Sequence, residues 1–269
     1  VTEENNVTNK PIIEPASLYK YYAFNEHTEK IFIHNEIYFS SPDEFADLSD
    51  SKIYWMCEGE EQQMESYLYE LYLKKYPELS KEEILLRVKK LIKKREGGND
   101  LQEILRGSRE RLRKMLGIYG LSEKKDNILM WVHYAKRHSG FCLEFDVNNE
   151  FFALHSRTIK VDYKAILPIL NVLQLNTYPK GELGTKLLTK AIDWKYEQEW
   201  RIVDHVKHSG TQNFPEDALI GVILGCRISL QNKENLFRWC SKRKHPPTIY
   251  EAREKEKEFG LDIVRIDYF

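Results

Sequence analysis

Two carboxylates two positions apart, Glu197 and Glu199, stand in the run Trp194-Lys195-Tyr196-Glu197-Gln198-Glu199-Trp200-Arg201-Ile202-Val203. Acids at this spacing can divide labour, one staying ionised to stabilise developing positive charge while the other polarises a hydroxyl. If the run passes from a helix end into a strand, Trp200 and Ile202 face the core, Glu199 and Arg201 share the opposite face, and Glu197 stands at the strand's entrance. As a surface Glu–Arg ladder the same pattern would be worth little energy. The two flanking tryptophans weigh toward a shaped site.

A second run, Asp126-Asn127-Ile128-Leu129-Met130-Trp131-Val132-His133-Tyr134-Ala135-Lys136-Arg137-His138-Ser139-Gly140, predicts a helix over 127–137. On it Trp131, Tyr134 and His138 fall on one side through steps of three and four, and His133 points elsewhere. A His and a Tyr near a helix end, followed by a Gly turn, could bind a ligand or shuttle a proton. Taken alone, the simpler reading is an aromatic core stripe with His138 capping the helix carbonyls. His133 and His138 are five apart, a spacing that does not gather them on one side of a helix, so no metal is expected. The sequence carries no phosphate-binding Gly-rich loop, no dinucleotide glycine fingerprint, no HExxH and no G-x-S-x-G.

The elements that must position these residues are short and mixed. Strands are predicted at 18–22, at 37–41 where Pro42 stops the run, at 118–122, 140–146, 159–163, 200–204, 219–224 and 263–268. A short helix or turn is predicted at 28–34 and helices at 183–194 and 251–259, the last charged and stopped by Gly260. Residues 58–117 differ: three long polar helices, the second opened by Ser80 with Glu83 at capping-box spacing and closed by Gly97-Gly98, the third capped by Asn99. The pattern predicts an α+β fold, a mixed and antiparallel sheet core carrying a helical insertion at 58–117. Residues 1–17 read as an N-terminal tail and 18–269 as a single domain.

The chain has 269 residues and a formal net charge of −1, which argues against a general polyanion or polycation binder. The near-zero balance hides segregation: residues 58–83 carry 8 acidic and 3 basic side chains, residues 84–117 carry 11 basic and 4 acidic. A basic helical face can meet phosphates or an acidic partner. It can equally be a solvated face, and no aromatic punctuates the basic stretch before Tyr119. The longest apolar run, Ala218 to Cys226, is far short of a membrane span, and the first residues lack a basic start and an apolar signal core, so a cytoplasmic protein is expected. The four cysteines, Cys57, Cys142, Cys226 and Cys240, are widely spread and read as reduced thiols.

With these motifs in view, the chain resembles a widespread bacterial family catalogued as domain of unknown function 2971. The matching pieces run in order: Leu18-Tyr19-Lys20-Tyr21; Ile37-Tyr38-Phe39-Ser40-Ser41-Pro42 with Phe45 and Asp47; Asn127 through Met130-Trp131-x-His133-Tyr134 to His138-x-Gly140-Phe141-Cys142-Leu143-x-Phe145-Asp146; Trp194-x-Tyr196-Glu197-x-Glu199-Trp200-Arg201; and Ile220-Gly221-Val222-Ile223-Leu224-Gly225. Where the family reads Phe-Asn-Asp-Pro-Phe-Asp, this chain has Phe45-Ala46-Asp47-Leu48-Ser49-Asp50, keeping both acids and losing the Asn and the Pro. Proteins of this kind are often encoded near mobile-element and phage-defence genes, which implies a defence or toxin effector.

The order of features also resembles the ADP-ribosyltransferase fold: an early strand with Lys20 and Tyr21, a second β segment ending at Ser40-Ser41, and a late Glu-x-Glu. That resemblance implies NAD as substrate. Glu199 would stabilise an oxocarbenium-like centre, with Glu197 orienting an acceptor and His133 beside it. Tyr21 or Tyr134 would stack the nicotinamide, and Lys20, Ser40, His133 and Arg201 would hold phosphate or ribose oxygens. Lys20 departs from the Arg or His of that fold. The acceptor would be a protein or a nucleic acid, and no membrane is involved. Two other readings stand beside this one: a nuclease or RNA binder using the basic insertion, and a non-catalytic protein that docks a partner through residues 58–117.

Overall fold

The computed structural model describes residues 15–47, 49–93, 99–149, 151–152, 158–174, 186, 188–204 and 206–267. Most of the predicted tail, the stop at Gly97-Gly98, the side chain of Asn99, and residues 183–185 and 187 of one predicted helix lie outside them.

The chain opens with β1 (Ser17–Tyr22), whose alternating Leu18, Lys20 and Tyr22 against Tyr19 and Tyr21 fit a strand buried on both faces. Helix α1 (Thr28–Ile33) leads to β2 (Glu36–Phe39), which ends at a 3-10 turn over Pro42–Glu44. After β3 (Tyr54–Met56) come three helices, α2 (Glu61–Lys75), α3 (Lys81–Lys93) and α4 (Asn99–Lys114). The chain returns through β4 (Gly117–Ser122), α5 (Ile128–Tyr134) and β5 (Phe141–Asp146). Four short strands follow, β6 (Thr158–Lys160), β7 (Asp162–Lys164), β8 (Ile169–Asn171) and β9 (Thr189–Ala191), then a 3-10 helix over Ile192–Glu197 and β10 (Glu199–Asp204). The remainder is β11 (Gly210–Asn213), β12 (Leu219–Leu224), α6 (Leu230–Ser241), β13 (Thr248–Glu254) and β14 (Leu261–Arg265).

Eight of the described strands form one sheet in the order β14-β13-β12-β5-β1-β4-β10-β6, antiparallel throughout except for the parallel pair β12 and β13. This is the mixed α+β sheet that the sequence predicts. One face packs on α1 and α6 through Phe32, Phe141, Phe145, Leu236 and Trp239, and the other on α5 through Tyr19, Tyr21 and Trp131. Each such fully buried large apolar side chain contributes roughly 1.5–3 kcal/mol. A second core joins the insertion to the sheet: Leu68, Ile84, Val88 and Leu105 of α2, α3 and α4 share it with Trp55 and Leu170 of the parallel pair β3 and β8 and with Ile118 of β4.

The capping box forms as spaced: Glu83 N–H donates to Ser80 Oγ at 3.2 Å and Ser80 N–H to Glu83 Oε2 at 3.0 Å. Three predicted elements are corrected. Residues 251–259 are not a helix. Thr248–Glu254 form β13 between β12 and β14, with Ile249 and Ala252 buried, and Glu251 and Arg253 pair two residues apart as strand neighbours do. The described part of 183–194 holds β9, paired in parallel with β7, before the 3-10 turn. The helix over 127–137 stops at Tyr134, because Lys136, Arg137 and His138 all take left-handed φ angles of 47°, 54° and 69° and fold the chain back.

Candidate active site

Strands β1 and β4 meet at only one register position, Tyr19 opposite Ser122. At the other end of β4 its edge is taken instead by Ser40, which exchanges two backbone hydrogen bonds with Ile118. Between these two contacts lies Gly120, and over it opens a cavity of about 220 Å³. A Cβ on Gly120 would stand 2.6 Å from Glu199 Oε1, so the glycine leaves the space the carboxylate occupies.

The floor is a group of buried charges. Arg201, 1% exposed on β10, donates from Nε and Nη2 to the two Glu199 oxygens at 2.7 and 2.9 Å, and from Nη1 and Nη2 to Asp50 at 2.8 and 2.6 Å. This bidentate fork between two acids is the geometry guanidinium favours. Lys190 of β9 donates to Glu197 Oε2 at 2.5 Å and Glu199 Oε2 at 3.1 Å and lies 3.5 Å from Asp50. Three carboxylates therefore face two cations, and such a cluster holds only because nearly every oxygen is hydrogen-bonded.

The two acids of the Glu-x-Glu pair are driven apart. Burial works against ionisation of Glu199, but Arg201 and Lys190 overcome it and hold its carboxyl at about 2. For Glu197 burial prevails over Lys190, with the Glu199 charge adding to it, and the carboxyl lies above the ordinary range. Lys190 would be lowered by burial, yet its three carboxylates keep it above the usual ammonium value. Gln198, between the acids, sits at φ 45° and ψ 53° and makes the corner from 3-10 helix to strand.

Above this floor stand aromatic walls and one further cation. Tyr134 donates its hydroxyl to Glu197 Oε1 at 2.5 Å, and Trp194 lies beside Lys190. Lys20 Nζ rests 4.9 Å from the centre of the Tyr119 ring, and among the described residues it makes no ion pair. Burial lowers its ammonium to about 8. Lys20, Ser40 and Tyr38 also line a second cavity of about 540 Å³, which reaches past Asn25 and Thr211. Asp47 has one buried oxygen, Oδ2, without a hydrogen bond; its other oxygen accepts from Ser49.

Of the residues predicted for the site, Lys20, Tyr21, Ser40, Tyr134, Glu197, Glu199 and Arg201 all line the first cavity. Tyr21 is committed to the core, its hydroxyl donating to the Lys124 carbonyl and its ring edge-on to Trp131. His133 is corrected: it is exposed and packs beside Tyr134 and Tyr196 outside the lining, because Tyr134 takes the cavity-facing position and its helical neighbour points about 100° away. His138 stacks parallel on Trp131, and its backbone N–H donates to the Trp131 carbonyl. Asp50 and Lys190 are the partners sequence did not identify. The retained acid at Asp50 was a signal for the first; Lys190 lay in a segment predicted as helix. Among the described residues no group of three or more His, Cys, Asp or Glu side chains is gathered to hold a metal ion, and no helix is long and apolar enough to cross a membrane.

Residues 130–202 match the family model described as Protein of unknown function (DUF2971), the family already indicated by sequence resemblance. The matched span includes Tyr134, Lys190, Glu197, Glu199 and Arg201 and leaves Lys20, Ser40 and Asp50 outside. Comparison with curated proteins and with solved structures found no match.

Proposed function

We propose that the cleft binds NAD and breaks its nicotinamide glycosidic bond, as an ADP-ribosyltransferase-like effector of bacterial defence or toxin systems. One observation carries this reading: an ionised carboxylate, Glu199, lies at the bottom of a cavity, and a cation without an ion pair, Lys20, marks its junction with a second cavity. A dinucleotide has that layout, two halves joined by a doubly charged pyrophosphate. The nicotinamide riboside half fits the smaller cavity against Tyr134 and Trp194, the pyrophosphate meets Lys20 and Ser40, and the adenosine half takes the larger cavity. The unpaired Asp47 oxygen suits a ribose hydroxyl.

In the reaction the bond from ribose C1 to the ring nitrogen breaks, and its electron pair leaves with neutral nicotinamide. Glu199 stabilises the cationic C1 without reorganising, because Arg201 and Lys190 already hold it in place. The acceptor oxygen or nitrogen adds to C1 and passes its proton to Glu197, whose raised pKa suits a base in this position.

The test is release of nicotinamide from NAD by the full chain, with water, protein and nucleic acid offered as acceptors. Glu199→Gln is expected to lower the rate by about 10²–10³-fold. Because that change leaves buried cations underpaired, Lys20→Ala serves as the second variant and should raise KM while leaving the fold unchanged. NAD that stays intact with all three acceptors would overturn the proposal.

A further inference from the structure

The insertion carries a second cavity system, remote from the cleft in its lining. Between the end of α2 and one face of α3 lies a groove of about 470 Å³. Its cations are Arg87, Lys90 and Lys93, spaced three residues apart on α3 over about 9 Å of helix. Lys75 from α2 joins them and is partly engaged by Glu103 at 3.0 Å. Sequence alone shows the basic stretch as free of aromatics, but packing supplies them from the preceding helix. Tyr72 and Tyr76 lie with ring centres 5.7 Å apart, and Lys75 and Arg87 stand 5.4 and 6.0 Å from the Tyr76 ring centre.

We infer that this groove binds single-stranded nucleic acid, with a base on Tyr76 and backbone phosphates along Arg87, Lys90 and Lys93. Four cations against one carboxylate give the groove the sign of a polyanion's partner, and an aromatic pair among cations is how sequence-tolerant strand binders hold bases. An acidic polypeptide would use the cations and leave the tyrosine pair without a role. The inference stands apart from the chemistry of the cleft, since none of these residues lines it.

Anisotropy of fluorescein-labelled oligonucleotides of about 12 residues, oligo-U and oligo-dT, titrated with the full chain measures this binding. Three neutralised phosphates predict a slope of about −2 in log K against log salt, so affinity should fall about 20-fold between about 50 and 200 mM salt. The triple variant Arg87→Gln, Lys90→Gln, Lys93→Gln changes only exposed side chains and should remove most of that binding and its slope. Tyr76→Ala should weaken binding about fivefold or more, and Tyr76→Phe should restore it. Absence of binding, wild-type affinity in the triple variant, or equal competition by polyglutamate or by AMP would each overturn the inference. Competition by polyglutamate would assign the groove to acidic protein, and competition by AMP to a free nucleotide.

Discussion

Glutamates, lysines and arginines make up both the floor of the cleft and the faces of the insertion, yet they behave as different materials. In the cleft, Arg201 is 1% exposed and held by four hydrogen bonds to two acids; on α4, Arg106 is 58% exposed and pairs loosely with Glu103 and Glu110 at 3.5 Å. Water screens the second set, so each charge there acts nearly alone and is available to a partner. Removal of water from the first set makes every charge depend on its neighbours, which is how Glu197 and Glu199 come to differ in proton affinity two residues apart. Residue type tells little about which of these a charge will become. Burial decides it.

The largest expected effect breaks this contrast directly. Arg201→Met leaves Asp50 and Glu199 in the interior with Lys190 as their remaining cation, and should cost about 3–5 kcal/mol of stability. Arg106→Met on the insertion should cost about 0–0.5 kcal/mol. Urea unfolding of both variants at constant m checks this, and comparable losses would show that the floor is no more than a surface ladder. The same floor sets an acid limb: Glu199 binds its proton at about 2 in the fold and at an ordinary 4.5 when unfolded. The unfolded chain thus takes up protons first, and this contribution to stability is complete above the unfolded value and drains away as pH falls toward 2.

How far this contrast could be read in advance differs between the two regions. In the insertion the signals are local: the Ser80 and Glu83 cap and the long polar runs mark the helices, and Ile84 and Val88 are the positions of α3 that the fold buries. Around the cleft, β-prone composition marks β1, an apolar run marks β12 and alternation marks β5, and a strand period at β10 puts Trp200 and Ile202 on the core side with Glu199 and Arg201 opposite. Strand β9 was beyond it, because a three-residue strand shows no period and its buried Lys190 reads as a solvated residue until the carboxylates around it are placed. Helix α6 carries a legible signal, since Leu236, Trp239 and Cys240 have helical spacing and Ser229 caps the helix, though most of its positions are polar. In β13, charges at 251, 253 and 254 have the composition of an exposed helix, and only pairing with β12 and β14 decides otherwise.

Lys20 falls between these two cases, a half-buried cation without the pairing of Lys190 or the solvation of Lys90. Its ammonium titrates at about 8 in the fold against 10.5 in the open chain. The unfolded chain holds the proton more firmly, so the penalty of burying this charge is full below pH 8 and stability gains as pH rises from 8 toward 10.5. Ligand binding runs the other way: an anion needs the protonated form, and affinity for NAD or inorganic pyrophosphate should fall about tenfold for each unit of pH above 8. Lys20→Arg should flatten that profile. A wild-type affinity that holds constant from pH 7 to about 10 would remove Lys20 from the binding site.

A smaller effect, confined to one helix end, lies in the insertion, where interactions are local. Ser80→Ala removes the hydroxyl that receives the Glu83 N–H and should cost about 1 kcal/mol. Because α3 is anchored at Ile84 and Val88 and not at its cap, the loss should appear as faster amide exchange in the first turn of α3, with the sheet unchanged. The cleft gives the opposite expectation, since a change at Arg201 touches β10, β9 and the Asp50 turn at once and should raise exchange across the seam between β1 and β4. If Ser80→Ala also loosens β4 and β10, the insertion and the sheet unfold as one unit, and the division between a structural cleft and an independent charged face fails.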